Sequence, residues 1–162
     1  MSGILVITTA GDCPACVGFK TNQLARVKSD VLTGFNKIQI VELDLPARQS
    51  QIPSNYPADH GRFVAWFPTF SLYDEASWKS ALQSENARKK YKLRGEVFNG
   101  HLNAKGQVER ISSPKALIST NIMRWIESIV VAPKTAPENT VFIQTGPTSP
   151  MDRCPRMKYV GK

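Results

Sequence analysis

The chain has 162 residues, 41% of them hydrophobic, three cysteines and a net charge of +8. That is enough for one domain with its own core, and too few cysteines for a disulfide-dense secreted scaffold. The basic balance favours anionic partners, but no RNA-recognition, zinc-finger or helix-turn-helix signature accompanies it, so nucleic acid is disfavoured and an acidic protein surface preferred.

From the N-terminus, Ile4-Leu5-Val6-Ile7 is an apolar, β-branched run that reads as a buried strand through Thr8. It is too short for a signal peptide and lacks a basic leader, and no segment is long enough to span a bilayer. The expected setting is therefore cytoplasmic, where a CxxC is more often catalytic than structural. Cys13-Pro14-Ala15-Cys16 follows and opens a segment with helical spacing: Val17, Leu24, Val27 and Val31, with Gly34 as the stop. Two thiols at i and i+3 on a helix start share one face, and the amides there favour a thiolate on the first. Such a pair suits thiol–disulfide exchange, one sulfur attacking and the other resolving. A zinc site is the competing reading, but only Cys154, His60 and His101 remain as further Cys or His ligands, and four are needed. No metal and no cofactor are expected.

Lys37–Leu43 supplies a second strand candidate, so a βαβ unit with a parallel pair closes within about 45 residues. Residues 45–61 hold three prolines and read as loop with one short helix. Pro68 enters an aromatic strand pattern, Phe67-Pro68-Thr69-Phe70, and belongs at the strand's beginning because it cannot donate to a ladder. Residues 96–98 and 107–111 are further strand candidates, joined through a turn at Asn103-Ala104-Lys105-Gly106. Ser113-Pro114 then reads as cap and first position of an amphipathic helix with the stripe Ile118, Ile122, Trp125, Ile126 and Ile129.

Strand–CxxC–helix, a Phe-Pro-Thr element opening a later strand, and a C-terminal amphipathic helix together resemble the thioredoxin family over residues 3–131. The resemblance implies an α/β thioredoxin-like fold, with a mixed central sheet flanked by helices. It further implies Cys13 as nucleophile, Cys16 as resolving thiol, and Pro68 as a shaping residue whose cis peptide faces the CxxC. Two positions depart from the family: Asp12 replaces a tryptophan before the first cysteine, and Ile7 replaces a buried aspartate in the preceding strand. Asp12 either opposes a thiolate at Cys13 through like charge or caps the helix.

Residues 74–94 read as a basic insertion within domain 1–131. They carry Lys79, Arg88, Lys89, Lys90, Lys92 and Arg94, with Trp78 and Leu82 as i, i+4 partners on a helix. Residues 132–162 form a proline-rich extension with one apolar patch, Val141-Phe142-Ile143, and a basic end at Arg153, Arg156, Lys158 and Lys162. The expected function is a thiol–disulfide oxidoreductase working with protein thiols or disulfides and a reductant system. The alternative is a structural or interaction protein on the same scaffold, for example a virion component of a large viral particle, anchored through residues 74–94 and 132–162.

Overall fold

The computed structural model describes residues 2–85 and 92–130. The elements run β1 (Gly3–Ala10), α1 (Pro14–Asn22), α2 (Leu24–Gly34), β2 (Ile38–Leu45), a 3-10 helix (Ala58–Phe63), β3 (Thr69–Asp74), α3 (Glu75–Glu85), β4 (Gly95–Val97), β5 (Gly100–Leu102), β6 (Val108–Arg110) and α4 (Ser119–Val130). The chain divides into units Met1–Ile126 and Glu127–Lys162, and of the second only the end of α4 is described.

The β-branched run of β1 takes an inner position in a four-stranded mixed sheet of order β2-β1-β3-β4, and all eight of its residues are buried. β1 pairs in parallel with β2, from Gly3 opposite Ile38 to Ala10 opposite Leu45, as the βαβ pattern requires. It pairs antiparallel with β3, with Thr8 opposite Thr69, and β3 pairs antiparallel with β4. Because side chains alternate along a strand, Ile4, Val6 and Thr8 share one face with Tyr73, Ser71 and Thr69, while Leu5 and Ile7 share the other with Leu72 and Phe70.

Helices cover both faces. On the first, Trp78 of α3 stacks on Tyr73 with ring centroids 5.4 Å apart, and Phe63 meets the same ring edge-on at 4.9 Å. On the second, Phe19 of α1 meets Phe70 at 5.1 Å, and Phe98 links Phe70 to Trp125 of α4. Each such buried aromatic or aliphatic side chain contributes about 1.5–3 kcal/mol relative to exposure.

Three expectations need correction. The helix expected as one run from Cys16 to Val31 is two, because Gln23 leaves the helical region at φ −129, ψ −28. Thr21 and Asn22 before it are weak helix formers. Val17 consequently lies 58% exposed, and Cys16 and Phe19 take the inward positions of α1.

The turn at Asn103–Gly106 does not link the 96–98 strand to the next one. It joins β5 to β6 in a separate two-stranded sheet, with Gly106 at φ +76 where a side chain would be strained.

The last helix begins at Ser119, not at Ser113-Pro114. Asn99 holds the intervening chain in non-helical form. Its side-chain amide donates to Lys115 O at 2.9 Å, its carbonyl accepts Lys115 N–H at 2.8 Å, and its backbone O takes Ile111 N–H at 3.0 Å. Ile118 is 42% exposed, whereas Ile122 and Ile126 are fully buried.

Candidate dithiol site

The site is built where β1 ends. Cys13 N–H donates to Ala10 O at 3.3 Å, turning the chain from strand into helix. Gly11 N–H donates to Leu45 O at 2.9 Å, and a Cβ at Gly11 would stand 2.7 Å from Pro46 O, so only glycine lets this turn seat against the end of β2.

Cys13 is the N-cap of α1 and Pro14 occupies its first turn, where a missing N–H costs nothing. Cys16 N–H donates to Cys13 Sγ at 3.1 Å and also lies 3.1 Å from Cys13 O, while Val17 N–H reaches Cys13 O at 3.2 Å. The two cysteines are brought together as free thiols, with the Cys16 amide directed at the sulfur of Cys13. An amide donor aimed at sulfur favours negative charge there.

Burial does not separate the two cysteines. Cys16 is 1% exposed, but Cys13 is also buried at 4%, packed in the apolar cluster that holds Ala10, Leu43, Leu45 and Phe63. Burial first, then the hydrogen bond with Cys13, pushes the Cys16 thiol up to about 11. The two sulfurs therefore differ more in polar surroundings than in access.

Asp12 does not cap α1; the Cys13 sulfur holds that place. The Asp12 carboxylate turns instead to the segment after β2, where Oδ1 accepts Arg48 N–H at 2.8 Å and lies 3.4 Å from Arg48 Nε.

Pro68 precedes β3, and the opposition of Thr69 to Thr8 puts it at the end of the sheet from which the cysteine turn leaves. The Phe67–Pro68 peptide is cis. Thr69 Oγ1 donates back to Trp66 O. A cleft lined by Leu45, Arg48, Ile52, Val64 and Phe67 opens beside this loop.

The basic insertion is less free than its sequence implies. Among the described residues, Lys79 pairs with Glu75 at 2.9 Å and Arg94 with Asp74 at 2.7 Å, while Lys92 is exposed. Arg88, Lys89 and Lys90 lie outside the described residues, as do Cys154, Val141-Phe142-Ile143 and the basic end of the extension. Trp78 and Leu82 pack into the core cluster. No helix among the described residues is long and apolar enough to cross a membrane.

Sequence reasoning considered His60 only as a metal ligand. Among the described residues no three His, Cys, Asp or Glu side chains cluster in a way that could hold a metal ion. His60, on the 3-10 helix, is instead fully buried against the sheet face that carries Thr8 and Tyr73: Nε2 lies 2.9 Å from Thr8 Oγ1 and Nδ1 2.5 Å from the Tyr73 hydroxyl. Burial pulls its pKa down to about 4 and pushes that of Tyr73 well above the usual phenol range. The hydroxyl partners give no local sequence signal, since Thr8 and Tyr73 stand 52 and 13 positions away.

No protein-family model and no curated protein matches the chain.

Proposed function

We propose that this protein is a thiol–disulfide oxidoreductase with a thioredoxin-like fold, acting on protein thiols or disulfides in a reducing compartment such as the cytoplasm. The observation that carries the reading is the hydrogen bond from Cys16 N–H to Cys13 Sγ at the N-cap of α1, which stabilises charge on one sulfur of the pair.

In the reducing direction, the Cys13 thiolate attacks one sulfur of a substrate disulfide. The substrate S–S bond breaks, a Cys13–substrate mixed disulfide forms, and the first substrate sulfur leaves as thiolate and takes up a proton. Cys16 then loses its proton to solvent and attacks Cys13 Sγ. The mixed disulfide breaks, the second substrate thiol is released, and the site is left as a Cys13–Cys16 disulfide. Two electrons have passed to the substrate, and a dithiol reductant must return them before the next turnover. Pro68 shapes the loop facing this chemistry. The high pKa of Cys16 suits a resolving thiol that stays protonated until the mixed disulfide forms.

One observation favours a second reading. An attacking sulfur must be reached by its substrate, and Cys13 is only 4% exposed. A scaffold whose cysteines serve packing alone would belong to a structural or interaction protein, for example one held in a viral particle.

Insulin reduction under a dithiol reductant separates the two. The oxidoreductase reading expects turnover by wild type and none above background for Cys13→Ser; the scaffold reading expects both proteins to be equally inert.

A further inference from the structure

We propose that Arg48 is a positioning residue for the dithiol turn: it holds the Asp12 carboxylate against the segment after β2, leaving the amide end of α1 to the Cys13 sulfur. The inference rests on the reading of Cys13 as the attacking thiol.

Two acceptors compete at the start of α1. Asp12 stands immediately before the N-cap, and a carboxylate there is attracted by the unpaired amides and the positive end of the helix dipole. Cys13 Sγ holds the Cys16 N–H at 3.1 Å, while Asp12 Oδ1 is engaged by Arg48 N–H at 2.8 Å with Nε 3.4 Å away. The pairing is not a chance meeting of long side chains. Gly11 fixes the turn against Leu45 O and Pro46 O, so the backbones bearing Asp12 and Arg48 are held side by side.

Without the guanidinium, Asp12 keeps one backbone donor and gains both freedom to turn toward α1 and an uncompensated charge. Each change disfavours negative charge on the neighbouring sulfur. The side chains of Arg48 and Asp12 are 55% and 46% exposed, so solvent screens the pair and the effect is modest.

The test is the rate of iodoacetamide labelling at Cys13 in the reduced, full-length protein at neutral pH and low salt, mapped by mass spectrometry. Arg48→Gln is expected to label roughly two- to five-fold more slowly than wild type, the range an exposed ion pair supports. Arg48→Lys should recover most of the rate, since it restores the charge. Asp12→Asn should label at least as fast as wild type, and Arg48→Gln should add no slowing in that background.

An unchanged rate in Arg48→Gln, or equal slowing with and without Asp12, overturns the proposal. Slower labelling of Asp12→Asn alone also overturns it, whatever Arg48→Gln does, so the test survives a poorly folding Arg48 variant. Labelling requires no turnover. Uncoupled labelling in an active protein would remove this proposal alone, and coupled labelling in an inactive protein would remove the functional reading alone.

Discussion

The two cysteines occupy one helix turn yet face different physics. Cys16 sits in apolar surroundings that raise its thiol to about 11, whereas Cys13 receives the Cys16 amide. Brief alkylation of the reduced protein near neutral pH is therefore expected to modify Cys13 first; peptide mapping that finds Cys16 labelled preferentially would reverse their roles. His60 carries a second expectation. Its folded pKa of about 4 lies below the ordinary 6.5, so the unfolded chain binds the extra proton first as pH falls. Its contribution to stability is complete above pH 6.5 and is lost progressively as pH falls to about 4, amounting to roughly 3 kcal/mol. Asp44, whose carboxyl Lys20 and Thr9 hold below 3.8, weakens the fold only at lower pH, so the windows separate. Urea unfolding at pH 7 and pH 4.5 should show the loss in wild type and much less of it in His60→Gln. The pair of cysteines was legible because spacing alone brings i and i+3 together at a helix start. The burial of His60 was not, because it depends on strand pairing between distant residues.

Among the secondary elements, several matched their sequence signals, while the break at Gln23 and the late start of α4 did not. The apolar run of β1, the helix stop at Gly34 and the parallel β1–β2 pair all follow from near-neighbour periodicity. The late start of α4 does not, because Ser113-Pro114 is a sound helix opening that Asn99 overrides from 16 positions away. Asn99 sits at φ 67 and both ends of its amide serve Lys115. Asn99→Ala should lose about 1–3 kcal/mol from the unpaired Lys115 groups, with added backbone strain at a positive φ. Asn99→Gly should relieve the strain without restoring the bonds, and denaturant midpoints of the three proteins would show that order. A stability of Asn99→Ala equal to wild type would dispose of the clamp. Helix α3 and its apolar face were expected from the Trp78 and Leu82 spacing, and Trp78 is stacked on Tyr73 and 7% exposed. Trp78→Ala is expected to cost about 3–5 kcal/mol, as for other buried aromatics, read as a lowered denaturation midpoint.

The charge of the chain is unevenly placed. Residues 86–91 and 132–162 each carry a net +3 of the total +8, while several bases of the described fold are spent on acids, as in Lys20–Asp44, Lys28–Glu42 and Arg62–Asp59. Partner binding is thus expected to reside outside the dithiol site. Deleting residues 132–162 should weaken salt-sensitive binding to an acidic polypeptide such as polyglutamate and leave thiol exchange by Cys13 nearly unchanged. Equal binding by the shortened chain, or a loss of its exchange activity, would contradict that division. The function proposed for the dithiol turn is disulfide exchange by Cys13, whose sulfur accepts the Cys16 amide at the start of α1. Insulin reduction by wild type, Cys13→Ser and Cys16→Ser tests it most directly. The expected result is turnover by wild type, none by Cys13→Ser, and a trapped mixed disulfide through Cys13 in Cys16→Ser. Wild type no faster than Cys13→Ser, with no mixed disulfide in Cys16→Ser, would contradict it.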